Sequence, residues 1–253
     1  DITKLPNVRM LKKSDFNFNT KEKKINGGNG KISIATTEIE PIQKVAYKII
    51  NKNSKNTNNK DLYREVEILS TVNHYAVQSL FGYVPKTKDN KEEAIVTLFQ
   101  ENGSLHDLIK KVNKNPDLLD FTQKYIIMYG IAAGMYYLHN IDIVHRDIKT
   151  LNIFINEHYE PIIADFGLSK KLFTKNFANT KLHNGTPAYM APEQHDDVSN
   201  YFFSILDSKK IDVYSFSLTI FSLFSGKEPW QGVKNIGSKV LNGERPKIPE
   251  DFP

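Results

Sequence analysis

Ile143-Val144-His145-Arg146-Asp147-Ile148-Lys149-Thr150-Leu151-Asn152-Ile153-Phe154-Ile155 is the stretch whose reading decides the fold. Apolar, β-prone runs flank a short polar centre that holds two cations, an acid and an amide. Core packing gives no reason for that composition. Asp147, Lys149 and Asn152 lie within six residues of one another, so a tight loop between short strands can aim all three side chains into one space. Phosphoryl transfer calls for such a set: a carboxylate to take a hydroxyl proton, a cation to hold the moving phosphate, and an amide oxygen for a metal.

Downstream, Pro161-Ile162-Ile163-Ala164-Asp165-Phe166-Gly167 reads as a short buried strand ending in an acid and a glycine. The polar, irregular stretch 170–184 carries Thr174, Thr180 and His183, and a connection of that length inside a compact domain is usually functional or mobile. Ile211 to Ser225 is apolar nearly all round and is stopped by Gly226, which predicts a buried helix whose Asp212 must be satisfied. Upstream, a long helix is predicted from about Thr122 to His139. Its stripe of Tyr125, Tyr129, Ala132 and Tyr136 reads as core. Ser104 followed by Asp107 reads as a helix cap, with Leu105, Leu108, Ile109 and Val112 on the apolar face and His106 exposed.

The N-terminal half reads differently. Phe16 and Phe18 alternate with polar residues as in a half-buried strand, and Ile25-Asn26-Gly27-Gly28-Asn29-Gly30 leads into a second alternating strand through Ile32 and Ile34. Glycines there let backbone amides approach a polyphosphate, and a plain hairpin turn would look the same; both readings stand. Val45 to Ile50 is a strand interrupted by Lys48. Leu62, Val66 and Leu69 recur at helical spacing, with Glu65 and Glu67 on the same helix, and Gln78 to Tyr83 and Glu93 to Phe99 read as further strands.

Across the 253 residues, 40% are hydrophobic and 25% charged, which is the balance of an ordinary globular protein long enough to bury a sizeable core. No run of about 18 apolar residues indicates a membrane span. The absence of cysteine excludes disulfides and thiolate chemistry, and it fits an intracellular, cytoplasmic setting. A formal charge of +5 with lysines interleaved among asparagines, as over 52–60, reads as solvated loop and not as a nucleic-acid surface.

His145-Arg146-Asp147 with Asn152 completes the pattern H-R-D-x-x-x-x-N, Asp165-Phe166-Gly167 stands 18 residues after Asp147, and Ala191-Pro192-Glu193 follows. In that order and at those intervals the chain resembles a eukaryotic protein kinase domain of the serine/threonine type, within the tyrosine-kinase-like group. The resemblance covers about residues 10–253. It implies an α+β, bilobal fold in a single domain: a β-rich N-lobe over 10–97 with one regulatory helix, a hinge over 98–103, and a mainly helical C-lobe over 104–253 that ends before the last helices of the family. It also implies an enzyme that uses ATP and Mg2+ on protein substrates.

By that resemblance Asp147 is the base, Lys149 neutralises the transferred phosphate, and Asn152 and Asp165 hold magnesium. Lys48, paired with Glu65, holds the α and β phosphates. Ile25, Gly27, Gly28 and Gly30 cover the nucleotide, with Ile25 where the first glycine of the family pattern stands. Ile32, Ala46, Thr97, Phe154 and the backbone of Leu98, Phe99 and Gln100 surround the adenine. Arg146 is expected to be a cation awaiting an anion, supplied by an upstream kinase or by autophosphorylation at Thr174 or Thr180. His145 is expected to pack, and Leu69, Leu80, His145 and Phe166 match the family's stacked side chains. Lys149 and Thr186 disfavour tyrosine specificity. A second hypothesis is a pseudokinase-like scaffold, favoured by the altered glycine turn and opposed by the intact Lys48, Asp147, Asn152 and Asp165.

Overall fold

Alternation of side chains builds the first of two compact units, Asp1–Phe99. The computed structural model describes residues 2–18, 25–27, 30–50, 59–88, 90–172, 185–195, 205–250 and 252. Strands β1 (Phe16–Phe18), β2 (Ile25–Gly27), β3 (Gly30–Thr37), β4 (Lys44–Ile50), β5 (Leu80–Val84) and β6 (Ala94–Leu98) form one antiparallel sheet in the order β1-β3-β4-β6-β5, with β2 also paired to β3. Val45 and Tyr47 point to one face of β4 and are fully buried with Leu11, Phe16, Ala35, Val84, Ala94 and Val96. The period of two therefore sends Ala46 and Lys48 to the opposite face. Helix α1 (Asn59–Thr71) buries Leu62, Val66, Ile68 and Leu69.

The second unit, Gln100–Pro253, is built on helices α2 (Leu105–Val112), α3 (Phe121–Asn140), α4 (Pro192–His195), α5 (Ile205–Ser225) and α6 (Ile236–Leu241). Two small antiparallel pairs join them: β7 (Ile143–Val144) with β10 (Lys170–Lys171), and β8 (Ile153–Ile155) with β9 (Pro161–Ile163). Helix α2 starts as its sequence demands, with Ser104 Oγ accepting from the Asp107 N–H at 3.1 Å and Asp107 Oδ2 accepting from the Ser104 N–H at 3.2 Å. His106 on α2 is not the exposed residue its position suggested, because its ring is half-buried against Glu228. A Cβ on Gly130 would lie 2.6 Å from Pro161 Cγ, so α3 meets β9 at a distance only glycine permits.

The tyrosine stripe on α3 overturns its reading as core. Tyr125, Tyr129 and Tyr136 are 45%, 70% and 71% exposed, and the buried face is instead Ile127, Gly130, Ile131, Gly134, Met135 and Leu138. Both faces of this helix are apolar enough to be candidates, and the phenol oxygen tolerates water where an isoleucine does not.

Helix α5 is buried along Ile211, Leu218 and Leu223, and it also buries Ser208, Asp212, Ser215, Thr219 and Ser222. Its hydroxyls are satisfied locally or by a neighbour: Thr219 donates to Ser215 O at 2.9 Å, and Ser215 to Tyr189 O at 2.8 Å. Asp212 is the costly one, a carboxylate 1% exposed. It accepts the backbone N–H of His145 at 2.8 Å and of Arg146 at 2.7 Å, and the ring Nε2 of His139 lies 2.9 Å away.

Replacing Asp212 with alanine strands two buried amide donors, each costing about 1–3 kcal/mol. Urea denaturation of Asp212→Ala is therefore expected to show a loss of about 3 kcal/mol, and Asp212→Asn, which keeps one acceptor oxygen, about half of that. An unshifted midpoint for Asp212→Ala would show that the carboxylate does not hold the loop. A second expectation concerns Tyr47, whose hydroxyl is pushed up to about 12 by burial and, secondarily, by the Glu92 carboxylate. A raised phenol favours the neutral form, so its stabilisation is complete below the ordinary value of 10 and is lost as pH rises through about 12. Absorbance titration is expected to show a late tyrosinate step coincident with unfolding that shrinks in Tyr47→Phe; an unchanged late step in that variant would contradict this.

Candidate active site

The loop from β7 to β8 enters and leaves through fully buried side chains, Ile143, Val144, Ile148, Ile153 and Ile155. These anchors leave the polar residues between them little freedom. Arg146 has φ of 70°, a left-handed backbone that costs a non-glycine residue on the order of 1–2 kcal/mol. The paired Asp212 bonds to the His145 and Arg146 amides hold it there. Arg146 itself is 4% exposed and partnered within the fold, which corrects its reading as a cation awaiting an anion.

After that turn Asp147 presents its carboxylate to a cluster of donors. Oδ2 accepts from Lys149 Nζ at 2.7 Å and from Asn152 Nδ2 at 2.8 Å, and Oδ1 accepts from the Thr186 hydroxyl at 3.2 Å. Lys149 Nζ also donates to Thr186 Oγ1 at 2.8 Å. A threonine hydroxyl thus rests on both the acid and the lysine. Asn152 Nδ2 additionally donates to Asp147 O at 2.8 Å, so the amide nitrogen is committed and its oxygen is the atom left for a cation.

The β8–β9 register brings Asp165 to the same place. Ile153 faces Ile163, so Asn152 and Ala164 flank that pair, and the Ala164 N–H donates to Asn152 O at 2.9 Å. Asp165, the next residue, has φ of 64° and starts the turn Phe166–Leu168. Phe166 is fully buried edge-on against His145, with ring centroids 5.1 Å apart, and His145 Nε2 lies 3.0 Å from Ala164 O. His145 is thus a packing residue that ties the two loops together. Phe154, between the buried Ile153 and Ile155, is half-buried and bridges to Ser104.

In the N-terminal unit Lys48 Nζ lies 2.6 Å from Glu65 Oε1, the two side chains being 17% and 10% exposed. Directly opposed residues in an antiparallel ladder share a face. Lys48 opposes Ile32 and Ile95, and Ala46 opposes Ile34 and Thr97, so Ile32, Ala46, Lys48 and Thr97 stand together on the face away from the Tyr47 core. Leu98 opposes Val45 and points the other way, and the Phe99 N–H donates to Lys44 O at 3.2 Å, which commits that amide within the unit. Ile25 pairs with Ile32 and Gly27 with Gly30, so the glycine-rich stretch is a hairpin. Its tip, Gly28 and Asn29, lies outside the described residues, as do Thr174, Thr180 and His183.

Sequence reading passed over Thr150, Tyr189 and Glu228, which join His106 in a single hydrogen-bonded group beside the loop. Nothing local marks them, because the contact between His106 and Glu228 spans 122 residues. Beyond Thr186, a cavity of about 490 Å³ is lined by Gly185, Pro187, Met190, His195, Val233 and Ile236, among others.

Comparison with known proteins identifies the family of the chain. A family model described as protein tyrosine and serine/threonine kinase matches residues 19–253. The chain is 34% identical over 191 residues to the RGS domain-containing serine/threonine-protein kinase A of Dictyostelium discoideum, covering 75% of this chain and 16% of that protein. It is 31% identical over 239 residues to the receptor protein-tyrosine kinase CEPR1 of Arabidopsis thaliana, covering 90% and 23%. Against the receptor-interacting serine/threonine-protein kinase 2 of Bos taurus it is 32% identical over 202 residues, covering 76% and 36%. The chain therefore spans between about a sixth and about a third of the lengths of these relatives. With its acid, lysine and amide gathered on one loop and its lysine–glutamate pair on the sheet, the chain belongs to the protein tyrosine and serine/threonine kinase family, as a eukaryotic serine/threonine kinase domain.

Proposed function

We propose that this domain transfers the γ-phosphoryl group of ATP to serine and threonine hydroxyls of protein substrates. The observation that carries the reading is the threonine hydroxyl already seated on the base: Thr186 Oγ1 donates to Asp147 Oδ1 at 3.2 Å and accepts from Lys149 Nζ at 2.8 Å. A substrate hydroxyl needs the same two partners. As its oxygen bonds to the γ-phosphorus, ADP leaves with the bridging oxygen and the hydroxyl proton passes to Asp147. Lys149 offsets negative charge on the group in transit.

The donor set suits a hard divalent cation such as Mg2+: the free oxygen of Asn152 and the carboxylate of Asp165 are both oxygen ligands, and no cluster of three or more His, Cys, Asp or Glu among the described residues competes for one. When bound, that ion would supply charge neutralisation on the phosphates. Lys48, held by Glu65, would bind the α and β phosphates. Ile32, Ala46, Thr97 and Phe154 would contact the adenine, with the backbone of Leu98 and Gln100. The amides of Gly27, Gly28 and Gly30, next to Ile25, would cover the phosphates.

Control by an upstream kinase or by autophosphorylation at Thr174 or Thr180 belongs to the same reading, supported by hydroxyls in a lysine-bearing segment directly before Gly185. No helix among the described residues is long and apolar enough to cross a membrane.

Transfer of radiolabelled phosphate from ATP to a generic protein tests the proposal. Wild-type protein is expected to label it on serine and threonine, and Asp147→Asn to be slower by about 10²–10⁴-fold. Equal labelling by both would eliminate the enzyme reading. Nucleotide binding without turnover would leave the scaffold, and label on tyrosine would overturn the specificity.

A further inference from the structure

Glu228 and the three side chains that converge on its carboxylate form a group of four outside the reacting centre. Tyr189 OH donates to Oε2 at 2.7 Å, Thr150 Oγ1 donates to Oε1 at 3.2 Å, and His106 Nδ1 lies 2.7 Å from Oε1. Thr150 Oγ1 and Tyr189 OH are themselves 3.2 Å apart. The four come from separate parts of the unit: the first turn of α2, the loop after Lys149, the turn Pro187–Tyr189, and the segment following α5. Burial first, with the Glu228 carboxylate adding to it, pushes the Tyr189 hydroxyl above the ordinary phenol range, so it stays a donor.

What this group joins is informative. Thr150 directly follows Lys149, and Tyr189 stands three residues after Thr186. One carboxylate thus ties the loop bearing Asp147 and Lys149 to the turn bearing the hydroxyl that rests on both. Glu228 is also a poor candidate for a merely stabilising residue. Its side chain is 38% exposed, and solvent screens most of what such a carboxylate contributes to folding. Thr150 and Tyr189, by contrast, are 1% and 5% exposed, so their hydroxyls have fixed directions to impose.

We propose that Glu228 is a positioning residue for phosphoryl transfer: with His106, Thr150 and Tyr189 it sets the separation between the loop of Asp147 and Lys149, which receives the substrate hydroxyl, and the turn of Thr186. The inference rests on the kinase reading. None of the four is hydrogen-bonded to the Asp147 carboxylate, whose partners are Lys149, Asn152 and Thr186, and their effect passes through Thr150 and Tyr189. The network should therefore govern the rate of transfer and the fit of the protein substrate, and leave nucleotide affinity alone.

The test uses the whole chain and measures kcat, KM for ATP, KM for a protein substrate, and the folded fraction at the assay temperature. Glu228→Gln keeps the shape and removes the charge; it is expected to lower kcat by about 10-fold with KM for ATP changed less than about twofold and the protein fully folded. Tyr189→Phe is expected to give a similar loss, and the double variant no more than either alone, because both remove one network. Glu228→Asp, which keeps a carboxylate on a shorter arm, is expected to recover part of the rate. A loss of kcat that only follows a loss of folded protein, additive losses in the double variant, or an unaltered Glu228→Gln each overturns the role while the wild-type activity stands. An inert wild-type protein overturns the kinase reading and this role together.

Discussion

A carboxylate taken out of water must be repaid by donors, and in the C-terminal unit Asp212 obtains them from the backbone of the loop that carries the chemistry. The exchange constrains both sides. Two adjacent amides, those of His145 and Arg146, can aim at one carboxylate only if the chain turns sharply, and the left-handed Arg146 is that turn. Once it is made, His145 is directed inward onto Phe166 and Ala164, and Asp147 outward to Lys149, Asn152 and Thr186. Lys209 reinforces the arrangement from the same helix, donating to His139 O at 2.6 Å and so meeting the end of α3 where its dipole is negative. Orientation of the acid is thus a property of helix α5, although no described side chain of α5 is hydrogen-bonded to Asp147, Lys149 or Thr186.

The N-terminal unit reaches its own geometry by a different constraint, the two-residue period of β4. Because Val45 and Tyr47 must face the core, Ala46 and Lys48 cannot. Lys48 would then be a solvated lysine but for Glu65, whose position on α1 beside Leu62, Val66 and Leu69 places it on the packed side of that helix. Glu65 is the more buried of the two, and removing one partner of a fully buried pair costs about 3–5 kcal/mol, an upper bound for this partly buried one. The pair therefore reports whether α1 is docked on the sheet, and it is formed here at 2.6 Å.

Legibility followed range. Motifs whose function lies in one short segment, such as Asp147 with Lys149 and Asn152, or Ser104 with Asp107, could be read because the residues that meet are neighbours in the chain. Periodicity located α3 but not its inward face, since its tyrosines and its isoleucines both recur at helical spacing, and only the close approach to Pro161 at Gly130 decides between them. His106 was misread for want of Glu228, and Arg146 for want of the fold that buries it. The commitment of the Phe99 amide to Lys44 is likewise a matter of strand register, which the sequence of β6 alone does not contain.

The charge on Lys149 shows how these constraints meet in the chemistry. An ammonium has three N–H donors, and two are engaged, one with Asp147 Oδ2 at 2.7 Å and one with Thr186 Oγ1 at 2.8 Å. A single donor is left, with its direction fixed because the other two are, and in the proposed transfer it would meet a phosphate oxygen. Were the lysine free to swing, its cation would be drawn as readily to ground-state phosphate as to the phosphoryl group in transit, and binding both equally would speed nothing. In the proposed transfer, Lys149 anchored on Asp147 and on the Thr186 hydroxyl would offer its charge where the acceptor oxygen and the phosphorus come together, so the hydrogen bonds that occupy it are the ones that would make its remaining donor selective.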